Sequence, residues 1–463
     1  MALALLLLAA LGVRLLYFTG LQAGDDLEYS LIAFQRLGGE FHISNVHEAR
    51  SGFLLPITLS YALFGVGEVP LLLYNLLCSL GLVATVFFMA RRFWGDAAGA
   101  IAAGFAALHP NLVFFATECH TDTAVGLWQA LSVFALISAT EAERPSRKLI
   151  LSGLLLGWAY LHKEHAVFLA PFYAGHWIAT RRRWTWYLPL ALAALGVFVA
   201  ESLVSAIVTG NPLKRFEMIS SMHVGRYMVE RYTTASEISY RLFLELPRQL
   251  FRSRYYYDFQ GLINLVGLGL GIAGVVRKTP GARLLTGWWA TLYLAYCFWP
   301  SSIVPLLPAF FLFDWTLPPL VGPLACFAGG GIARWRRPVV AAVAAALAAA
   351  SLLSIHTLWG PGQRFTVGPK EAQAWISREG PTHVITDDKT IELLDFLDGH
   401  RPARRYTSFK AVNDYRGAVV VVDKFWSQPG HWWSQPVPGE VNRPPPTWKK
   451  VYESDRVALY RPE

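Results

Sequence analysis

Long apolar segments recur along the chain, with short polar segments between them. A helix that crosses about 30 Å of hydrocarbon needs about 20 predominantly apolar residues. The pattern therefore predicts about eleven membrane-spanning helices, some of them short. They lie near residues 2–20, 69–90, 97–116, 123–140, 149–162, 165–180, 185–209, 259–276, 283–300, 317–333 and 339–358.

The first apolar segment, "MALALLLLAALGVRLLYF", resembles a signal peptide. It lacks a charged amino-terminal region, Arg14 interrupts it, and no small-residue cleavage site is clear. We therefore expect this segment to be retained as the first span.

Two further segments in the first loop, residues 22–68, are predicted to be helical. In "LEYSLIAFQRLGG" apolar residues recur at helical spacing with polar residues between them, which is typical of an amphipathic helix lying in the membrane interface. "FLLPITLSYALFG" is apolar but too short to span, which indicates a second interfacial or re-entrant helix.

The pattern changes near residue 361. "THVITDDKTIELLDFLDGH" predicts a strand, a turn and a helix, with Asp387-Asp388 as turn and helix cap. "GAVVVVDKFW" predicts a buried strand, and "RVALYRPE" a final edge strand. We expect a membrane domain over residues 1–360 and a small α/β domain over 361–463.

Composition supports a polytopic α-helical membrane protein. Only 16% of the residues are charged and 54% are hydrophobic, whereas soluble domains carry about 25% charged residues. The net charge of +9 does not require a nucleic-acid partner, because Lys and Arg cluster in the loops between spans. The clusters are Arg91-Arg92, Arg144 with Arg147 and Lys148, Arg181–Arg183, Arg277 with Lys278 and Arg283, and Arg334 with Arg336 and Arg337.

All five clusters fall on one side of the membrane if the amino terminus is cytoplasmic. Short loops rich in Lys and Arg stay in the cytoplasm. The outer side then holds residues 22–68, 117–122, 162–165 and 210–258, together with the carboxy-terminal domain. We predict a multi-pass plasma (inner) membrane protein whose carboxy-terminal domain is periplasmic or extracellular.

Other common sites have no sequence support. The four cysteines have neither metal-knuckle nor disulfide spacing. No P-loop, GxSxG or HExxH motif occurs, and Gly329–Gly331 lacks the strand-to-helix context of a phosphate cradle.

The outer loops carry the candidate chemistry, beginning with Asp25 and Asp26. The pair could simply end a span in water. Alternatively, one carboxylate is a general base and the other orients it or binds a divalent cation. Two close acids also raise the pKa of one of them.

The second outer loop, "TECHTD", contains Glu118, His120 and Asp122. Carboxylates with a histidine between them can bind a metal. The spacing is not a recognised ligand set, and Asp122 could instead cap the span that begins near Thr123. A divalent metal held by Asp26, Glu118, His120 and Asp122 is a hypothesis here.

The third outer turn, "LHKEH", places His162, Lys163, Glu164 and His165 near the acyl boundary, where polar residues are costly. These residues could form ion pairs that end two spans, or Lys163 could face a lipid phosphate.

Isolated and clustered arginines offer two further interpretations. Arg50 could be a solvated residue or a headgroup anchor. Segment 210–258 could contact anionic headgroups or grip a phosphorylated lipid. Its basic residues are Lys214, Arg215, Arg226, Arg231, Arg241, Arg248, Arg252 and Arg254.

The order of these motifs resembles a known family. Asp25, Asp26 and Tyr29 lie in the first outer loop, followed by "FLLPITLSYALFGVGE", "YNLLCSLGLVATVFFMARRFWGDAAGAIAAGFAALHP", the "TD" of the second loop and "HKEHAVFLAP". Together they resemble the polyprenyl-phosphate-sugar-dependent membrane glycosyltransferases of the C-type superfamily. The branch is family 39, dolichyl-phosphate-mannose-protein mannosyltransferase-like, which includes lipid A aminoarabinose transferases. The resemblance is best over residues 1–180.

The resemblance implies an active site at the outer face and a sugar donor on a polyprenyl phosphate. It also implies transfer with inversion to a hydroxyl of a protein, lipid or polysaccharide acceptor. Asp25 matches the acid that serves as base, with Asp26 beside it. We assign the donor phosphate to Arg50, Lys163 and Arg215, and substrate contacts to Tyr29, His162 and Glu164.

Two departures from the family stand out. The second acid is commonly Glu, where this chain has Asp26. An arginine-tyrosine pair often precedes the proline-rich helix, where this chain has Asp314 and Trp315. Another cation, such as Lys163 or Arg215, must then hold the phosphate, or the donor differs.

Two other classes of function stay open. A lipid-linked sugar transporter or flippase would favour broken helices at mid-membrane and internal repeats. Here the polar residues gather at the outer ends and no repeat is found. A scaffold whose carboxy-terminal domain binds a partner would tolerate loss of the outer-loop charges.

Overall fold

The computed structural model describes most of the chain. The described residues are 1–225, 235–240, 243–244, 260–298, 300–303, 306–308, 317–362, 365–412, 414–426 and 438–462. They divide into two compact units. The first unit contains residues 1–18, 41–56 and 74–358, and the second contains residues 19–40, 57–73 and 359–463.

Helices occupy every segment predicted to span. In chain order they are α1 Ala2–Leu16, α2 Asp25–Leu37, α3 Ser51–Phe64, α4 Glu68–Trp94, α5 Asp96–Leu108, α6 Pro110–Phe114, α7 Thr121–Thr140, α8 Pro145–His162, α9 Ala170–Thr180, α10 Leu188–Thr209, α11 Lys214–Gly225, α12 Ala235–Tyr240, α13 Gln260–Val276, α14 Ala282–Phe298, α15 Pro318–Ile332 and α16 Arg337–Gly362. The two extra helices predicted in residues 22–68 are α2 and α3.

Several of these helices are long and apolar enough to cross a membrane. Among the described residues, α4, α7, α10 and residues 337–357 of α16 meet that condition. A fifth span is added if α5 and the following helix, which are bent by 64°, count as one. Pro110 explains the bend, because the residue before a proline is driven out of the helical region. The membrane class is confirmed, while the exact number of eleven spans stays a prediction.

Small residues allow close packing in the first unit. Gly329 and Gly330 in α15 leave no room for a methyl group, since Ala98 and Ala102 of α5 and the Trp94 ring fill that space. Small residues let membrane helices approach closely. Gly329 and Gly330 therefore form a packing surface of α15.

Arg14 fixes α1 against its neighbours. Its guanidinium is fully buried and donates hydrogen bonds to Ser79 Oγ at 2.9 Å and to the Ala107 carbonyl at 3.0 Å. The residue that interrupts the apolar segment thus packs α1 within the first unit.

The second unit contains the predicted α/β domain. Its helices are α17 Val367–Glu379, α18 Asp388–Leu397 and α19 Gly439–Asn442, and its strands are β3 His383–Thr386, β4 Arg405–Ser408, β5 Val419–Asp423, β6 Trp448–Glu453 and β7 Val457–Pro462. The strand order is β4-β3-β5-β7-β6, with β4, β3 and β5 parallel. A two-stranded hairpin, β1 Pro300–Ile303 with β2 Leu306–Pro308, belongs to the first unit.

The prediction of an edge strand at the end of the chain was wrong. β7 pairs antiparallel with both β5 and β6, so it lies inside the sheet, and β6 is the edge. Val457 and Leu459 of β7 are fully buried, as fits a strand with a neighbour on each side. By contrast, the cap at Asp387 is confirmed, because its Oδ1 accepts a hydrogen bond from the Thr390 amide at 2.9 Å.

Candidate functional site

The candidate residues form two groups, one in each unit. The acidic pair belongs to the second unit, and a buried cluster of charged residues belongs to the first.

Asp25 and Asp26 are the first two residues of α2, yet their environments differ. The Asp26 side chain is 2% exposed, and its two oxygens accept hydrogen bonds from the Gln22 and Gly24 amides, both at 2.6 Å. Asp25 is exposed. The loop between α1 and α2 contains Ala23 at a φ of 59°, a strained conformation for a non-glycine residue. Asp26 binds the amides on both sides of Ala23 and so holds this conformation.

Burial raises the pKa of Asp26, against the opposing effect of its backbone hydrogen bonds, and the neighbouring Asp25 raises it further. The two acids therefore have separate roles, since Asp26 organises the loop while Asp25 presents a carboxylate at a helix amino terminus. A helix amino terminus stabilises the ionised carboxylate.

Tyr29, predicted to contact substrate, is buried in the second unit at 1% exposure. It lies on the face of α2 that also buries Leu27, Ile32 and Ala33. Tyr29 thus belongs to the core in this structure.

Asp122 is the centre of the buried cluster in the first unit. It is fully buried, and its Oδ2 accepts a hydrogen bond from Lys163 Nζ at 2.7 Å. Two histidines flank it: His120 Nδ1 lies 2.9 Å from Oδ2, and His165 Nε2 lies 3.3 Å from Oδ1.

The capping interpretation of Asp122 was wrong. His120 is the cap residue of α7, no side chain makes the cap hydrogen bond, and the Asp122 carboxylate pairs with Lys163. A buried carboxylate needs such a partner, because an unpaired charge away from water is costly.

Two arginines converge on a second carboxylate, Glu164, whose side chain is 13% exposed. Arg50 Nη2 lies 3.5 Å from Glu164 Oε1, and Arg215 Nη2 lies 4.0 Å from Oε2. Although burial favours the neutral acid, Arg50 and Arg215 hold the pKa of Glu164 below its usual range. Arg215 also interacts electrostatically with Glu201 of α10.

Arg215 is anchored on several sides. It donates hydrogen bonds to the Tyr160 carbonyl at 2.7 Å and to the Ala49 carbonyl at 3.4 Å, and its guanidinium lies 4.3 Å from the centre of the Tyr160 ring. Arg215 and Arg50 are 1% and 6% exposed, so the interpretation of Arg50 as a solvated residue was wrong.

His162 faces the helix bundle. Its Nδ1 lies 2.7 Å from the Trp158 carbonyl and so must carry the proton, which leaves Nε2 to accept from the Tyr74 hydroxyl at 2.6 Å. Trp128 Nε1 donates to the same hydroxyl at 2.9 Å. The ring is fully buried and both of its nitrogens have hydrogen-bond partners, so His162 offers no free nitrogen to a substrate.

The predicted metal ligands do not suit a metal in this arrangement. Within the described ranges, no three or more His, Cys, Asp or Glu side chains are placed to hold an ion. Asp26 uses both oxygens for backbone amides, and Asp122 is paired with Lys163. Asn75 fixes the "TECHTD" loop instead, because its amide donates to the carbonyls of Glu118 and His120.

Sequence reasoning missed Asn75, Tyr160 and Tyr296. Tyr296 in α14 has a buried hydroxyl without a hydrogen bond, and its ring lies 5.3 Å from that of His165. The three lie in apolar segments far along the chain from the residues they contact, so no local motif marks them. A polar side chain inside a predicted span was the available signal.

Several predicted residues lie outside the described part of the chain. These are Arg226, Arg231, Arg241, Arg248, Arg252, Arg254, Asp314 and Trp315.

Comparison with known proteins gives a family match and a fold match. Residues 53–207 match the family model described as dolichyl-phosphate-mannose-protein mannosyltransferase. No curated protein sequence matches the chain.

Solved structures share the fold at low sequence identity. Two structures of ArnT from Cupriavidus metallidurans, one apo and one bound to undecaprenyl phosphate, match with a TM-score of 0.67 and 13% identity over 99% of this chain and 97% of theirs. The archaeal oligosaccharyltransferase AglB from Archaeoglobus fulgidus, in complex with an inhibitory peptide and a dolichol-phosphate, matches with a TM-score of 0.51 and 12% identity. That match covers 87% of this chain and 64% of AglB. The resemblance predicted from the sequence, to the dolichyl-phosphate-mannose-protein mannosyltransferase-like membrane glycosyltransferases, is thus confirmed by a family model over residues 53–207 and by the fold of almost the whole chain.

Proposed function

We propose that this protein is an inverting glycosyltransferase that moves a sugar from a polyprenyl phosphate to a hydroxyl acceptor at the outer face of the membrane. The observation that carries the proposal is the division of the acidic pair. Asp26 is buried and bonded to backbone amides, whereas Asp25 is exposed at the amino terminus of α2. The family match and the ArnT-like fold support the choice of reaction.

In the proposed reaction Asp25 is the general base. The acceptor O–H bond breaks and its proton passes to the Asp25 carboxylate. The acceptor oxygen forms a bond to the anomeric carbon, while the bond from that carbon to the phosphate oxygen breaks. The polyprenyl phosphate leaves with the bonding electrons, so a single displacement inverts the anomeric centre. A helix amino terminus keeps the base ionised before the step.

Buried cations are suited to the charge that develops on the leaving phosphate. We assign that role to Arg50 and Arg215, with Lys163 in support because Lys163 is already paired with Asp122. One guanidinium group can donate two parallel hydrogen bonds to a phosphate. Donors that are already fixed in place need little rearrangement when charge develops on the phosphate. ArnT was solved bound to undecaprenyl phosphate, which belongs to the class of carrier lipid that we propose as the leaving group here.

Tyr29, His162 and Glu164 are proposed to support the substrate sites. Tyr29 and His162 are buried, and Glu164 forms ion pairs with Arg50 and Arg215. Each can orient a residue that contacts substrate. The metal requirement stays a separate prediction, and transfer before and after chelation and re-addition of Mg²⁺ or Mn²⁺ decides it.

Purified protein in lipid nanodiscs, supplied with a radiolabelled polyprenyl phosphate sugar and a hydroxyl acceptor, tests the function. Transfer of label to the acceptor with inverted anomeric configuration supports the proposal. Movement of the intact labelled lipid across a vesicle without transfer would identify a transporter or flippase. Neither the family match nor a described feature favours that alternative or the scaffold.

A further inference from the structure

A chain of four hydrogen-bonded side chains runs through the second unit. Tyr61 and Ser30 hydroxyls lie 2.7 Å apart, Ser30 Oγ lies 2.8 Å from His400 Nε2, and His400 Nδ1 lies 2.8 Å from Asp395 Oδ2. Ser30 belongs to α2, whereas Asp395 belongs to α18 and His400 follows it. The chain of bonds therefore joins the helix of Asp25 to the carboxy-terminal α/β domain.

One assignment of protons satisfies every member. His400 Nδ1–H donates to the Asp395 carboxylate, which leaves Nε2 to accept from the Ser30 hydroxyl. Ser30 Oγ in turn accepts from the Tyr61 hydroxyl. Each hydrogen is then used once, and the His400 ring is held in a single tautomer and orientation.

The arrangement contains serine, histidine and aspartate, but it does not suit hydrolysis. Ser30 is fully buried and Tyr61 is 1% exposed, so the Ser30 hydroxyl cannot reach a substrate. The chain is therefore suited to hold two elements in place.

His400 itself occupies an unusual backbone conformation. Its φ is 56°, after Gly399 at a φ of 70°, in the turn that ends α18. A non-glycine residue stays in the left-handed region where the contacts around it hold it there. Phe34 and Arg401 add to the contact, with the Phe34 ring 5.4 Å from that of His400 and the Arg401 guanidinium 5.3 Å from Phe34.

A second link reaches the loop before α2. Glu68 Oε1 accepts a hydrogen bond from the Leu21 amide at 2.9 Å, and both Glu68 oxygens lie 2.9 Å from Lys370 Nζ of α17. The carboxy-terminal domain is thus bonded directly to the helix that carries Asp25, and is linked through Glu68 to the loop that precedes it.

We propose that His400 is a positioning residue for Asp25, so that the carboxy-terminal domain sets the rotation of the catalytic helix. This inference rests on the proposed function. A carboxylate about 6 Å from a helix axis moves by about 2 Å when the helix turns by about 20°. A misplacement of about 1 Å can lower a rate about 100-fold.

The test compares His400→Asn with His383→Asn. Asparagine tolerates the left-handed conformation but cannot join Ser30 to Asp395. His383 lies in the same domain and makes one side-chain bond, to Thr407 Oγ1 at 2.9 Å, so its substitution is a matched control. We expect His400→Asn to lower kcat by about 10- to 100-fold with the donor KM within about twofold, and His383→Asn to change neither.

Hydrogen exchange gives a readout that does not depend on activity. Amides of residues 28–37 should exchange about tenfold faster in His400→Asn and not in His383→Asn. Ser30→Ala should have the same kcat as Ser30→Ala/His400→Asn, because both substitutions break one chain. Asp395→Ala, which removes a partly exposed side chain, replaces His400→Asn if that variant fails to fold.

If the wild-type protein transfers sugar, and His400→Asn and Asp395→Ala both keep its kcat, the positioning role is overturned while the proposed function stands. Equal losses of kcat in His383→Asn and His400→Asn also overturn it, because a general loss of domain stability then explains both. A wild-type protein that transfers no sugar contradicts the proposed function, and faster exchange of α2 in His400→Asn then still confirms the contact.

Discussion

Lys163 donates a hydrogen bond of 2.7 Å to Asp122, and both side chains are buried although 41 residues separate them in the chain. The bond joins the start of α7 to the turn that follows α8. A buried ion pair contributes little when compared with an apolar pair, but removal of one member leaves an uncompensated charge.

Asp122→Asn should therefore destabilise the first unit by about 3–5 kcal/mol. Lys163→Met should do the same, and Asp122→Asn/Lys163→Met should lose less than the two single changes together. Thermal unfolding in detergent, monitored by light scattering, measures all three variants. The control is Arg91→Gln at the exposed Arg91–Asp96 pair, where about 0–1 kcal/mol is expected.

Arg215→Lys should weaken donor binding although it keeps the charge. A lysine cannot bind the Tyr160 carbonyl and Glu164 while lying over the Tyr160 ring. We expect the donor KM to rise by about 10-fold or more, in line with the loss of a charged hydrogen bond. Lys214→Met is the control, because Lys214 pairs with Glu217 and is partly exposed. Equal KM values for the two variants would contradict the phosphate assignment.

Close packing of α8 on α10 should make Gly157 sensitive to substitution. A methyl group at Gly157 would lie 2.6 Å from Val197 Cβ, which is inside van der Waals contact. We expect Gly157→Ala to destabilise the first unit by about 1–3 kcal/mol. Gly196→Ala, where nothing lies within 4 Å, should be neutral or stabilising in the same unfolding measurement.

Asp423 should make the carboxy-terminal domain less stable as pH rises. Burial, with a smaller contribution from Asp387, raises the pKa of Asp423 to about 7 in the folded domain. An unfolded aspartate has a pKa of about 3.9, so the folded state binds more protons between the two values. The stabilisation is complete below about pH 4 and is lost as pH rises through about 7.

Pulse proteolysis in urea at pH 5 and pH 8 measures this effect. The cleavage midpoint of the wild-type domain should fall from pH 5 to pH 8. In Asp423→Asn the amide oxygen can still accept from the Phe425 and Trp426 amides, so the fall should be smaller. A variant with an unchanged fall would remove Asp423 as its cause.

The sequence predicted elements whose signal is local. The eleven apolar segments, the amphipathic α2 and the Asp387 cap each depend on residues close together in the chain. The spacing of apolar residues and the residue types that cap helices are sufficient for such predictions.

What the sequence could not predict depends on distant partners. Arg50 matched the pattern of a solvated arginine, but it is buried and pairs with Glu164, which is 114 residues away in the chain. β7 was predicted as an edge strand, yet pairing with both β5 and β6 places it inside the sheet. The different environments of Asp25 and Asp26 likewise follow from how the 22–24 loop folds back.

Transfer of radiolabelled sugar by Asp25→Asn tests the central claim most directly, with Asp96→Asn beside it. Both aspartates are exposed first residues of helices, and only Asp25 is proposed as the base. We predict that Asp25→Asn loses about 100- to 10,000-fold in kcat while it folds like wild type, and that Asp96→Asn stays within about twofold. Transfer by Asp25→Asn at the wild-type rate would contradict the account.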